Sequence, residues 1–230
     1  MAPEQAHTPS LVVAAPADTA RSQSEEAYLR IRDRIVSLEM PPGSVVQEAR
    51  LREELEIGRT PIREALQRLA HENLVRSVPH RGTFVTDINI TDLSRITEVR
   101  VVLEGYAARL AAERAAASDR AAIRELLDAL EAGGAADQKE LMKRDQQIHR
   151  QIYRAARNSF LESTLERYFN LSLRLWYMVL DHGVRLREAV EEHVALLRSV
   201  LAGDGELAEE SMRRHVIGFE KEIRKVLVER

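Results

Sequence analysis

The stretch whose reading decides the fold is Glu48-Ala49-Arg50-Leu51-Arg52-Glu53-Glu54-Leu55-Glu56-Ile57-Gly58-Arg59-Thr60-Pro61-Ile62-Arg63-Glu64-Ala65-Leu66. Glu48 to Leu55 reads as a short helix, and Thr60-Pro61 supplies an N-cap and a first-position proline for the helix that follows. That second helix turns Ile62, Ala65, Leu66 and Leu69 inward and leaves Arg59 and Arg63, four residues apart, on one outer face. In a helix-turn-helix the second helix enters the major groove, and arginine offers a planar fork that matches a guanine edge or a phosphate. Taken alone, two such arginines are also what a solvated helix face carries, so the surrounding sequence has to decide.

Upstream, Tyr28, Ile31, Ile35 and Leu38 recur at helical spacing from Glu25, and Pro41-Pro42-Gly43 predicts an end near Met40. Downstream, the arginine-bearing helix is expected to stop around Asn73, a residue suited to a left-handed cap. Two β-like runs follow, Leu74 to Val78 and Thr83 to Val85, separated by Pro79-His80-Arg81-Gly82. Three helices and a hairpin make a winged helix-turn-helix over residues 23–87. Residues 1–22 are rich in Ala, Pro, Ser and Thr without periodicity and read as a disordered leader.

Beyond Asp87 the pattern changes to long amphipathic helices, over Thr91 to Ala115, Ser118 to Glu131, Gln138 to Ala156, Phe160 to Asp181, Leu186 to Leu201 and Glu206 to Val228. Short breaks at Gly133-Gly134, Asn158-Ser159, His182-Gly183 and Gly203-Asp204-Gly205 favour antiparallel neighbours. The expected fold is therefore mainly α: an N-terminal winged helix-turn-helix followed by an all-α six-helix antiparallel bundle over residues 91–228.

Composition bounds what such a chain can do. It has 230 residues, 44% hydrophobic and 31% charged, enough for two domains with their own cores. Zero cysteines exclude disulfides, thiolate metal sites and a cysteine nucleophile, so any metal has to be held by His, Asp or Glu. No signal peptide is visible, and the apolar run Leu171 to Leu180 is interrupted by Arg174 and falls short of the roughly 20 residues a spanning helix needs. The expected setting is the cytoplasm, away from membranes. Net charge is -3, and Ser24 to Thr86 holds ten arginines against ten acidic residues, so DNA affinity has to come from a focused patch with modest non-specific binding.

The bundle places polar residues at positions that periodicity assigns to its core. Arg100 falls in the stripe Leu93, Ile96, Leu103, Ala107, Leu110, and Asp145 and His149 fall among Leu141, Ile148 and Ile152. His193 interrupts Leu186, Val190, Leu197 and Val200, and His215 interrupts Ala208, Met212, Phe219 and Ile223. A single inward histidine is most often a core residue bonded to a backbone carbonyl. Three of them with an aspartate at i and i+4 on one helix can instead supply three nitrogens and one oxygen to a divalent metal such as Zn, Ni or Mn.

The Arg59-Thr60-Pro61-Ile62-Arg63-Glu64-Ala65-Leu66 core, continued by Arg81-Gly82-Thr83-Phe84-Val85, resembles the DNA-binding domain of GntR-family regulators. The resemblance implies that Arg59, Thr60 and Arg63 contact operator double-stranded DNA, with His80 and Gly82 at the wing tip. Gly58 stands where the family usually has Ser or Thr, Ala49 where some members carry a DNA-contacting arginine, and Arg52 where the family has a small residue. Thr91 to the C-terminus is similar to the FCD effector domain of the FadR subgroup, in its six-helix VanR-like branch. That similarity implies that Asp145, His149, His193 and His215 hold a divalent metal. It also implies that Arg100 and the metal bind a small carboxylate effector, that Glu104 is structural, and that the protein works as a homodimer. Asn170 and Arg174 are further candidates to line the effector pocket.

Two other readings stay open at this stage. Three nitrogens around zinc with one open position could activate water in a metal-dependent hydrolytic enzyme. Alternatively the metal is a staple only, and Glu104 or Asp145 neutralises Arg100 permanently.

Overall fold

The structure, a computed structural model, describes residues 22–133, 137–180 and 186–228. Residues 1–21 of the expected leader, Gly134 and the expected turn at His182-Gly183 lie outside the described residues.

Helix α1 (Gln23–Val36) opens on Ser22, whose hydroxyl accepts from the Glu25 amide at 3.1 Å, with Glu25 and Glu26 in the first turn against the positive end of the helix dipole. It ends at Val36, four residues before the expected Met40: Leu38 takes a left-handed φ of 62° and the Met40 amide bonds back to the Arg34 carbonyl at 2.9 Å. The chain thus leaves the helix before Pro41-Pro42 forces it to.

Helix α2 (Glu48–Leu55) ends on Glu56 in the left-handed region, and helix α3 (Arg59–His71) follows after Gly58. Thr60 is not the N-cap. The cap is Gly58, which has no side chain to offer, and Thr60 and Pro61 are the second and third helical residues. Proline is tolerated there because first-turn N–H groups have no intrahelical partner to lose. Asn73 leaves α3 at φ 62°, as its sequence position predicts.

The wing is β1 (Val75–Val78) paired antiparallel with β2 (Gly82–Val85), in register Val75↔Val85 to Val78↔Gly82. A third segment that the sequence reading missed adds to it. Val45 bridges Phe84, the Val46 amide donates to the Thr83 carbonyl at 2.8 Å, and the Val85 amide donates to Ser44 at 2.9 Å. Ala27, Ile31, Ile35, Ile62, Leu69, Leu74 and Val85 close the core under these elements. Burying their apolar area is the main force holding α3 in place.

The bundle consists of α4 (Asp92–Arg114), α5 (Ala117–Glu131), α6 (Gln138–Ala155), α7 (Ser159–Val179), α8 (Leu186–Glu191), α9 (His193–Ala202) and α10 (Gly205–Val228). The one helix expected from Leu186 to Leu201 is divided at Glu192 into α8 and α9, with Glu192 itself keeping helical backbone, φ -56° and ψ -27°, and its amide donating to the Glu188 carbonyl at 3.0 Å. Helices α4 and α10 pack closely enough that Gly105 lies against the Arg213 side chain, where an added Cβ would sit 2.8 Å from Cγ. Two apolar clusters fill the bundle, one around Phe169, Leu173, Trp176 and Phe219, the other around Ala108, Ile148, Leu197 and Met212. Val36 of α1 belongs to the first of these, and Leu171 of α7 packs on the winged-helix core. The two halves thus share a packed seam.

Candidate metal centre and nucleic-acid interface

Helix α3 buries Ile62, Ala65, Leu66 and Leu69 and exposes Arg59, Thr60, Arg63 and Gln67, so the face available to a DNA groove is the one the sequence predicts. Arg63 stands 3.9 Å from Glu48 at the start of α2, a loose and exposed pair that a phosphate can outcompete. Arg59 has no partner among the described residues. Arg50 is held by Glu54, which also accepts from Arg34. His80 and Gly82 are exposed at the wing turn with φ 59° and 100°, a conformation that fits Gly82 at no cost and holds His80 by the turn around it. Arg81 between them is exposed too, a basic wing-tip residue that the sequence reading did not single out.

In the bundle, α6 carries Asp145 and His149, α9 begins on His193, and α10 contributes His215, all four buried. Their donor atoms lie within 4.8 Å of one another. His149 Nε2 is 3.2 Å from His215 Nε2 and 3.3 Å from His193 Nε2. Asp145 Oδ1 is 3.8 Å from the Nε2 of His149 and of His193, and 3.9 Å from that of His215.

The opposite ring nitrogens determine what those Nε2 atoms are. His149 Nδ1 faces a Glu104 carboxylate oxygen at 2.7 Å, His193 Nδ1 the Val190 carbonyl at 3.2 Å, and His215 Nδ1 a Glu192 carboxylate oxygen at 3.2 Å. An ionised carboxylate and a carbonyl only accept, so each Nδ1 carries a hydrogen, and a ring in its neutral form presents its lone pair at Nε2. Three lone pairs aimed at one another repel unless a cation lies between them. Nitrogens about 2.0–2.1 Å from zinc at tetrahedral angles stand roughly 3.3 Å apart, which is the spacing found here. His193 starts α9 with its ring bonded back to Val190, and the preceding residue, Glu192, reaches His215. Sequence spacing picked out the four clustered residues but not these outer partners, because neither Glu104 nor Glu192 breaks an apolar pattern in a way that shows its target.

Burial, and then the neighbouring imidazoles, push His193 and His215 well below the ordinary histidine value, which keeps both neutral. Burial raises Asp145, with His149 and Arg100 opposing. Burial would raise Glu104 as well, but Arg100 and His149 outweigh it and hold that carboxyl well below the usual range.

Arg100 is buried, with Nε on Glu104, Nη1 donating to Ser172 Oγ at 2.7 Å, and Nη2 without a partner. Asn170 Nδ2 is a second buried donor without a partner. Phe169 lies 4.7 Å from the His149 ring, between centroids. Arg174, a sequence candidate for the same pocket, turns instead toward the winged helix, with Nη1 2.8 Å from Thr86 Oγ1. Periodicity marks it as inward but cannot say which of two cores it meets.

A winged helix-turn-helix seated on a helical bundle with a buried histidine and carboxylate centre defines a DNA-binding regulator. Residues 95–218 match the FCD domain family and residues 23–85 the gntR family of bacterial regulatory proteins. The chain belongs to the GntR family, with an FCD domain as its second half. It is 30% identical over 185 residues to the probable D-xylose utilization operon transcriptional repressor of Paenarthrobacter nicotinovorans, covering 78% of this chain and 79% of that one. Among solved structures, McbR/YncC of E. coli superposes with a TM-score of 0.76 at 23% identity, over 90% of this chain and 99% of that one. The metal-free FCD domain of TM0439 matches with a TM-score of 0.50 at 21% identity, over 62% of this chain and 98% of that domain. The protein is a DNA-binding transcriptional regulator and not an enzyme, and the hydrolytic alternative finds no support among these relatives. No described helix is long and apolar enough to cross a membrane.

Proposed function

We propose that this regulator holds one divalent transition metal (Zn, Ni or Mn) on Asp145, His149, His193 and His215, and that the metal and Arg100 together receive a small carboxylate effector. The observation that carries the reading is the convergence of the His193 and His215 Nε2 atoms on that of His149 at 3.2–3.3 Å, each ring fixed from behind by an acceptor. When bound, the metal would supply positive charge and an open coordination position for a carboxylate oxygen. The unpartnered Nη2 of Arg100 and Nδ2 of Asn170 are the protein's own donors for such a ligand. The Arg100–Glu104 pair gives the guanidinium an internal counter-ion, so the recruited anion has one remaining nitrogen to engage rather than a bare charge. Residues 23–87 act as the DNA-binding domain, with Arg59, Thr60 and Arg63 on the recognition helix and His80 and Gly82 at the wing. Residues 91–228 act as the sensing and dimerisation domain. A homodimer in the cytoplasm places two recognition helices on a two-fold operator.

The test is elemental analysis of protein purified without chelator, with thermal unfolding on addition of Zn²⁺, Ni²⁺ or Mn²⁺. One equivalent of metal, or clear stabilisation by one of these ions, supports the centre; neither retained metal nor any stabilisation rejects it. Calorimetry with a panel of small carboxylates on wild type and Arg100→Met then tests the effector role. Equal affinity in both proteins rejects it.

A further inference from the structure

Helix α7 stands between the histidine centre and the winged helix. Phe169 packs on His149, and Ser172 accepts from Arg100, which holds the Glu104 that orients His149. Two residues on, about 200° around a helix of 3.6 residues per turn, Arg174 points the opposite way. Arg174 is 2% exposed, and its guanidinium donates through Nη1 and Nη2 to the hydroxyl and the carbonyl of Thr86, while Nε has no partner. Burial lowers its pKa to about 10, with Asp87 the opposing charge, and it makes no ion pair with any described residue.

Thr86 is tied in turn to the exit of the recognition helix. Its hydroxyl donates to the Asn73 carbonyl at 2.8 Å and its amide to the Leu74 carbonyl at 3.1 Å, the two residues through which α3 turns into β1. The contacts therefore run without a gap from His149 through Glu104, Arg100 and Ser172 to α7, and from Arg174 through Thr86 to Asn73. Beside the last of them lies a cavity of about 480 Å³, lined by Asn73, Thr86, Ile96, Leu171 and Arg174 among others. A buried cation whose opposing charge is the largely exposed Asp87 rather than a close ion-pair partner is a poor way to glue two domains, since apolar side chains of similar volume would hold them at least as well. It is a good way to make a contact that is either formed or broken, and the cavity gives the two halves room to shift when it breaks.

We propose that Arg174 is the positioning residue through which occupancy of the metal centre reaches the recognition helix. With the centre filled, α7 is held and Arg174 stays on Thr86, fixing α3 relative to the bundle. With the centre empty, the Arg174–Thr86 contact opens and the winged helix is released. The inference rests on the metal-centre reading above.

The experiment uses the full chain and an operator selected from random DNA by the purified protein. Wild type, Arg174→Met and Thr86→Val are compared for zinc uptake by calorimetry, and for operator affinity by fluorescence anisotropy with zinc and with chelator. In wild type the two operator affinities differ by at least about fivefold. In both variants one zinc per chain still binds, and the two operator affinities fall within about twofold of each other. Should Arg174→Met fail to fold, Thr86→Val, which keeps the β-branched shape and removes the hydroxyl, carries the same test. A variant that keeps the wild-type ratio overturns the proposal. So does wild type that takes up zinc with no change in operator affinity, which leaves the metal centre standing. Wild type that takes up none of Zn²⁺, Ni²⁺ and Mn²⁺ overturns the metal centre and the coupling together, and uptake of Ni²⁺ or Mn²⁺ in place of Zn²⁺ moves the same comparison to that ion.

Discussion

His193 and His215 are buried imidazoles whose neutrality is enforced by the protein rather than by solvent, and this fixes the sign of the pH response. Both have folded-state pKa values below the ordinary 6.5, so in the metal-free protein the unfolded chain binds more protons than the folded one. Their contribution to stability is fully present above pH 6.5 and is lost as pH falls below it toward the depressed values. The melting temperature of chelated protein is expected to drop between pH 7 and pH 5.5, and the drop to shrink in a His215→Gln variant. A flat profile over that range argues against buried neutral imidazoles. Ligation needs the same neutral rings, so metal affinity falls in the same window. Outer partners carry a smaller share: Glu192→Gln is expected to keep one metal per chain and weaken its affinity by about 10- to 100-fold, while His193→Ala abolishes uptake in elemental analysis. Equal affinity in wild type and Glu192→Gln would show that Glu192 does not orient His215.

At the scale of elements, the recognition helix and the three histidine-bearing helices were legible because their apolar residues recur every three or four positions, and a polar residue in such a stripe stands out. Other features left no such mark. Ser44-Val45-Val46 is too short to alternate, so the third wing segment was invisible. Thr60 looks like a cap beside Pro61, yet the helix begins two residues earlier than that cap would set, because Gly58 takes the extended cap conformation, φ -63° and ψ 165°. For α3 itself the prediction separates two roles. Leu69→Ala, at a fully buried position, is expected to cost about 2–5 kcal/mol in denaturant unfolding. Arg59→Ala and Arg63→Ala are each expected to leave unfolding unchanged and weaken operator binding by about 1–3 kcal/mol. If both arginine variants bind the operator as wild type does, the recognition-helix assignment fails.

On the scale of the whole molecule, the question is how a nearly neutral DNA-binding domain can be selective. Ten arginines balanced by ten acidic residues between Ser24 and Thr86 leave no broad basic surface to hold any duplex, and several of those arginines are already committed to carboxylates, such as Arg34 and Arg50 to Glu54 and Arg68 to Glu25. Few phosphate contacts per domain mean a shallow salt dependence and weak non-specific binding, so one domain on one half-site gains little. Useful affinity then has to come from two domains binding one duplex together, where the second contact is made at high effective concentration. The expectation is a homodimer whose operator affinity falls by about 100-fold or more when one of two half-sites is scrambled, with half-site centres about one helical turn apart or a multiple of it. Sedimentation fixes the stoichiometry, and anisotropy titrations at fixed salt on whole and half operators read the affinity. A monomer on DNA, or a half operator bound as tightly as the whole, would mean that a single neutral winged helix supplies all the specificity, and the argument from charge would be lost.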